Sequence, residues 1–171
     1  MLSAVLSKET CAGCKFCCSF RRQSLWETPL VSEQFIKRHA SRSDGTKIAY
    51  RITTDKNGTY ASPDLTGCYK TSDSEEEAPC PFLDASRGCT LPAEEKPFDC
   101  KIWPLRLMQK KDGTLCVCLT PTCPAINALP LERMKALVCD GVGAQIAEHA
   151  KTHPYIIKEY KEGFIVLMDV R

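Results

Sequence analysis

The chain has 171 residues, of which 43% are hydrophobic and 26% charged, and its net charge is +2. That length suits one domain able to bury about 70% of its unfolded surface. The near-neutral balance gives no general nucleic-acid or membrane-surface signal, and the longest apolar stretches, such as 164–168, fall far short of the roughly 20 residues that cross a bilayer. Residues 1–10 lack the basic start and long apolar centre of a secretory signal. Twelve cysteines without such a signal point to a cytoplasmic, reducing setting, where cysteine-dense chains bind metal more often than they form disulfides. A disulfide framework would set Cys17 and Cys18 side by side in two bridges and would require export.

Along the chain, residues 11–18 read CAGCKFCC. Two-residue spacers let successive sulfurs face one centre, and Ala12 and Gly13 are small enough to ease the fold-back. Residues 31–40 read as a short helix capped by Ser32. Residues 47–54 and 59–62 read as a hairpin around Asn57-Gly58. The stretch 64–95 carries eight acidic and two basic side chains, and its Asp73–Glu77 run reads as a solvated loop. Residues 1–40 and 96–111 are instead net +3 and +4, so basic residues flank the cysteine-rich regions. There they would offset the negative charge of a thiolate centre and lower thiol pKa values.

Residues 102–109 and 114–120 read as a second hairpin around Asp112-Gly113, with Pro104 confining its first strand to an edge or delaying its start. Residues 131–151 place Met134, Leu137, Val138, Val142, Ile146 and Ala150 at helical spacing, and Gly141 and Gly143 break the helix in two. Residues 155–160 fit helix or strand, and 164–170 fit a strand. The fold class that follows is α+β: a small, loop-rich single domain over 1–171, with short hairpins and a C-terminal helical segment, organised around cysteine-ligated metal.

The later cysteines sit in turn-rich contexts: Cys80 in CPFL, Cys89 after Arg87-Gly88, Cys100 in KPFDCKIWP and Cys123 before Pro124. With CxxCxxCC at 11–18, this order of motifs resembles the YkgJ-like cysteine-cluster family, described as a zinc- or iron-chelating domain, over residues 11–124. The resemblance implies metal binding by Cys11, Cys14, Cys17, Cys18, Cys80, Cys89, Cys100 and Cys123. The chain departs from the family pattern between Cys89 and Cys100, where Lys96 replaces an Arg, and after Cys-Pro, where Ala125 replaces a Gly. Both departures leave the thiols in place.

Eight thiolates make two four-ligand sites, or one site with spare cysteines. Neighbouring side chains of an extended segment point to opposite sides, so Cys17 and Cys18 would serve two centres, or one would be a supporting thiol. The triple start followed by a distant Cys-Pro resembles cubane ligation more than paired zinc knuckles, which favours a 4Fe-4S iron–sulfur cluster over zinc. His39, His149 and His153 lie outside the motifs. Cys116 and Cys118, two apart on a strand, share one face and read as buried apolar residues; Cys139 reads as helix core, and Cys68 stays open between loop residue and extra ligand.

Three function classes follow. A cluster protein in electron transfer or redox sensing implies a redox partner protein, with no nucleic acid and no membrane. An enzyme is suggested by the occurrence of the family's cysteine cluster in protein lysine N-methylases, although no Gly-rich strand–turn–helix for S-adenosylmethionine is visible. A zinc-stapled interaction domain is the third, with metal replacing core that loops cannot supply.

Overall fold

The computed structural model describes Leu2, Val5 and residues 7–170. The chain divides into two units, Lys8–Cys100 and Lys101–Arg171 with the first seven residues. Helix and strand are mixed in both, as the α+β pattern requires.

The first unit opens with α1 (Lys8–Cys14), which ends at Lys15, a non-glycine residue at φ 54°. A 3-10 turn over Phe16–Cys18 leads into β1 (Ser19–Arg21). Next comes α2 (Glu33–Arg38), where the Ser32 hydroxyl accepts the Phe35 N–H at 3.3 Å, the expected cap. β2 (Tyr50–Asp55) and β3 (Gly58–Pro63) form the Asn57-Gly58 hairpin, with Gly58 at φ 100°. Then β4 (Glu77–Pro79) returns to β1, antiparallel, with Phe20 opposite Ala78. β5 (Leu83–Asp84) and β6 (Gly88–Cys89) make a minimal hairpin. α3 (Phe98–Ile102) carries the chain onward; its Asp99, 2% exposed, accepts the Leu30 N–H at 3.0 Å.

Two small apolar clusters hold this unit. One joins Val31, Phe35, Ile48, Ala61 and Phe82, with the partly buried Cys80, Cys89 and Leu91 packed on it. The other joins Phe20, Leu65 and Ala78, and Cys80 packs on it too.

The second unit is built on a four-stranded sheet. β7 (Leu105–Gln109) and β8 (Leu115–Leu119) form the Asp112-Gly113 hairpin. Pro104 delays the start of β7 to Leu105 rather than confining it to an edge, for β7 lies between β8 and a short parallel strand. Helices α4 (Pro124–Asn127), α5 (Leu131–Leu137) and α6 (Gly143–Thr152) follow. Gly141, at φ 128°, lies in a π-type turn over Val138–Val142 and separates α5 from α6, the expected break. Residues 155–160 resolve into a 3-10 turn and β9 (Lys158–Glu159), the parallel partner of β7. β10 (Ile165–Val170) completes the order β10-β8-β7-β9.

Met134, Val138, Val142, Ile146 and Ala150 are buried as the helical spacing requires, while Leu137 is only half-buried; each large buried one contributes about 1.5–3 kcal/mol of apolar burial. Cys116 and Cys118 are fully buried beside Met108, Tyr160, Phe164 and Val166, matching the apolar expectation for them. Cys139 is exposed, not core: it follows the buried Val138 by one residue, about 100° round the helix from the Met134–Val138–Val142 stripe. No helix among the described residues is long and apolar enough to cross a membrane.

Candidate metal centre

The CAGCKFCC run folds as helix, left-handed reversal and 3-10 turn. Cys11 and Cys14 lie on α1 and are exposed; Cys17 and Cys18 lie in the turn and are half-buried. The reversal falls on Lys15, not on Gly13: the Lys15 N–H donates to the Cys11 carbonyl, and the Cys18 N–H donates to the Lys15 carbonyl, each at 3.0 Å. Because Cys17 and Cys18 stand on a tight helical turn, the extended-segment premise for sending them to opposite sides does not hold.

Three contacts bring later cysteines to this run. The Cys80 N–H donates to the Cys18 carbonyl at 2.7 Å, extending the β1–β4 ladder by one step. Gly88, at φ 78°, meets α1 so closely that a Cβ there would stand 3.1 Å from both the Cα and the Cβ of Ala12. Lys15 Nζ donates to the Ala85 carbonyl, in the β5–β6 turn. Cys89 is therefore attached to a strand whose neighbouring glycine rests on the middle of the Cys11–Cys14 helix.

Burial pushes the Cys80 thiol up to about 11, partly offset by the Phe82 N–H, and the neighbouring Cys89 and Cys17 sulfurs add to the rise. Cys17 and Cys89 thus lie close enough for their charge to reach the Cys80 sulfur. Burial, and then Cys80, likewise raise Tyr50 to about 12; its hydroxyl donates to the His39 carbonyl at 2.7 Å. The expectation that flanking cations lower thiol pKa values fails at Cys80, where burial raises it. Arg21 Nε reaches Glu75 at 3.2 Å and Glu77 at 3.5 Å, and Arg22 Nη2 reaches Glu76 at 3.2 Å.

The Asp73–Glu77 run is the exposed loop expected, with only Glu76 half-buried, and it also clamps Arg21 and Arg22. Glu76 accepts the N–H groups of Lys70 at 2.6 Å and Thr71 at 2.8 Å, which hold its carboxyl down at about 2. Sequence reasoning missed this role, and missed Gly88 and Tyr50; only the Arg21-Arg22 and Glu75–Glu77 charge blocks could have suggested the clamp.

The remaining expected ligands are placed differently. Cys100 lies on α3 and is exposed; Cys123 belongs to the second unit, where it precedes Pro124 at the start of α4 and is 7% exposed. Cys68 is exposed on a 3-10 turn. Among the described residues, no three His, Cys, Asp or Glu side chains converge closely enough to hold a metal ion. The donor chemistry of Cys17, Cys80 and Cys89 fits a thiophilic metal, whereas their sulfurs are gathered without being closed around a centre. No family model matches the chain, and no curated protein or solved structure matches it.

Proposed function

We propose that the first unit is a thiolate metal-binding unit that holds an iron–sulfur cluster and serves electron transfer or redox chemistry. One observation carries this: the opening cysteine run meets the two later loop cysteines, through Cys80 N–H on the Cys18 carbonyl and Gly88 on Ala12. The ligands proposed from that neighbourhood are Cys11, Cys14, Cys17 or Cys18, Cys80 and Cys89, with Cys100 added by the resemblance to the YkgJ-like family. When bound, the cluster would supply a one-electron couple. The chain would supply soft donors, a partly buried setting from Phe82 and Leu91, and backbone N–H groups from the Pro- and Gly-rich turns. A thiol held near 11 must lose its proton to ligate, so loading releases protons and weakens as pH falls.

The second reading is a zinc staple. It is favoured by the approach of a Cys-x-x-Cys helix to a Gly-Cys corner, two short segments of the kind that close four-sulfur zinc sites.

Anaerobic purification from iron-replete cells, with iron, zinc and acid-labile sulfide assays, tests both. Iron and sulfide in equal amounts, with a visible charge-transfer band lost in Cys14→Ser and Cys80→Ser, is the expected result. Stoichiometric zinc without sulfide replaces the first reading by the second. Protein without metal under those conditions overturns both.

A further inference from the structure

A cleft of about 260 Å³ lies in the first unit, between the residues that follow α2 and the stretch 81–95. Its floor is apolar: Phe82 is 7% exposed and packs edge-on to Phe35 and His39, with ring centroids 5.8 and 5.7 Å away, and Leu91 and two prolines line the same space. Its polar groups are unequally committed. Asp84 Oδ1 accepts Ser86 N and Oγ and Arg87 N at 2.7–2.8 Å, and Oδ2 stands 3.4 Å from Arg87 Nη2, so both oxygens are engaged. Glu95 is turned onto His39 Nε2 at 3.4 Å.

The donors are in surplus. A guanidinium has five N–H donors. Among the described residues, the Arg87 side chain spends one on Asp84 and leaves 78% of itself exposed. Arg42 reaches only Asp44, at 3.7 Å, which is outside the cleft's lining. Two guanidiniums with donors to spare, lining the same cleft as Phe82 and Leu91, match a carboxylate carried on an apolar body. The volume is below the usual ligand-pocket range of about 300–1,000 Å³, which suits a single-ring or short-chain acid and excludes a dinucleotide cofactor.

We propose that this cleft binds a small organic carboxylate, its apolar body on Phe82 and its carboxylate held by Arg42 and Arg87. The site requires no metal. It flanks Cys80 and Cys89 in sequence, through Pro81, Phe82 and Thr90, so an occupant would sit beside the proposed thiolate centre.

The test is a two-dimensional amide NMR titration of the purified full chain with sodium benzoate, benzamide and inorganic phosphate as probes. Benzoate should produce saturable shifts at Arg42, Ser43, Arg87 and Thr90, with a Kd of about 1–10 mM. Benzamide, lacking the charge, and phosphate, lacking the apolar body, should each bind at least about tenfold more weakly. The double variant Arg42→Gln/Arg87→Gln, at exposed positions, should lose benzoate binding by at least about tenfold while its circular dichroism spectrum matches wild type. Benzoate shifts that do not saturate, benzamide or phosphate binding as tightly as benzoate, or undiminished affinity in the double variant would each overturn the proposal. Metal content has no part in the readout, so the fate of the cluster proposal does not bear on it.

Discussion

Gly88→Ala is the sharpest probe of how the opening cysteine run is held. Two costs add at this position. An alanine at φ 78° occupies the left-handed region, which costs an L-residue roughly 1–2 kcal/mol relative to glycine. The new Cβ also stands 3.1 Å from Ala12 Cα and Cβ, which belong to α1 and cannot swing aside as a long side chain would. Relieving that overlap displaces α1 from β6, an overpacking cost of about 1–3 kcal/mol. Gly45→Ala isolates the second cost. Gly45 has φ 83°, lies in the same unit and has nothing within 4 Å of the added Cβ. Urea unfolding of both variants, followed by circular dichroism, should therefore show Gly88→Ala about 1–3 kcal/mol below Gly45→Ala. Equal midpoints for the two would refute the close packing of α1 on β6, and with it the contact that brings Cys89 to the Cys11–Cys14 helix.

Further outcomes follow from the same physics. Ile146→Ala, at a fully buried position on α6, should cost about 2–5 kcal/mol in chemical denaturation; a loss near zero would contradict the packing of that helix. Cys116→Ser places a hydroxyl in a fully buried apolar site and should cost about 1–3 kcal/mol, whereas Cys139→Ser, exposed, should stay within about 0.5 kcal/mol of wild type. Glu76 has a folded pKa of about 2 against an ordinary 4.5, so its stabilising effect is fully present above about pH 4.5 and fades as pH falls toward 2. The midpoint gap between wild type and Glu76→Gln should accordingly be largest at neutral pH and narrow on acidification; a gap independent of pH would show that the clamp is not formed.

Elements fixed by short-range signals were legible. Ser32 caps α2, Asn57-Gly58 and Asp112-Gly113 turn the two longer hairpins, and Gly141 divides the last helical segment, because each effect acts within four residues. Features that depend on distant partners were not. Three residues at β1 and three at β4 have no periodicity to read, yet their pairing carries Cys80 onto Cys18. The acidic run is the exposed loop its charge suggested, but its tie to Arg21 and Arg22 was not legible because they lie far back in the chain. Cys139, by contrast, follows the buried Val138 by one residue and so lies off the apolar stripe, which the helical spacing itself made legible. The division at Cys100/Lys101 left no trace, since it falls within a helix and not in a Gly- or Ser-rich linker. The meeting of the opening run with Cys80 and Cys89 could be expected from motif order alone, but not the reversal at Lys15 that shapes it.

Cys80 links the proposed chemistry to the stability of the unit. It packs on both apolar clusters, donates its N–H to the Cys18 carbonyl and closes the turn to Leu83, whose N–H donates to the Cys80 carbonyl at 2.9 Å. A residue so placed cannot move toward a metal without shifting Phe82 and Phe20's cluster with it. Whatever ligates Cys80 therefore acts on both clusters at once, and a ligand that binds only the folded unit stabilises it by mass action. Among the described residues, two clusters of three to five buried residues make a slight core for a unit of this length, the situation in which a metal adds most to folding. Metal loading should then raise the thermal midpoint of the first unit, and chelation should lower it in wild type but not in Cys80→Ser. A midpoint indifferent to loading in wild type would separate the thiol cluster from the fold and leave Cys80 as a packing residue only.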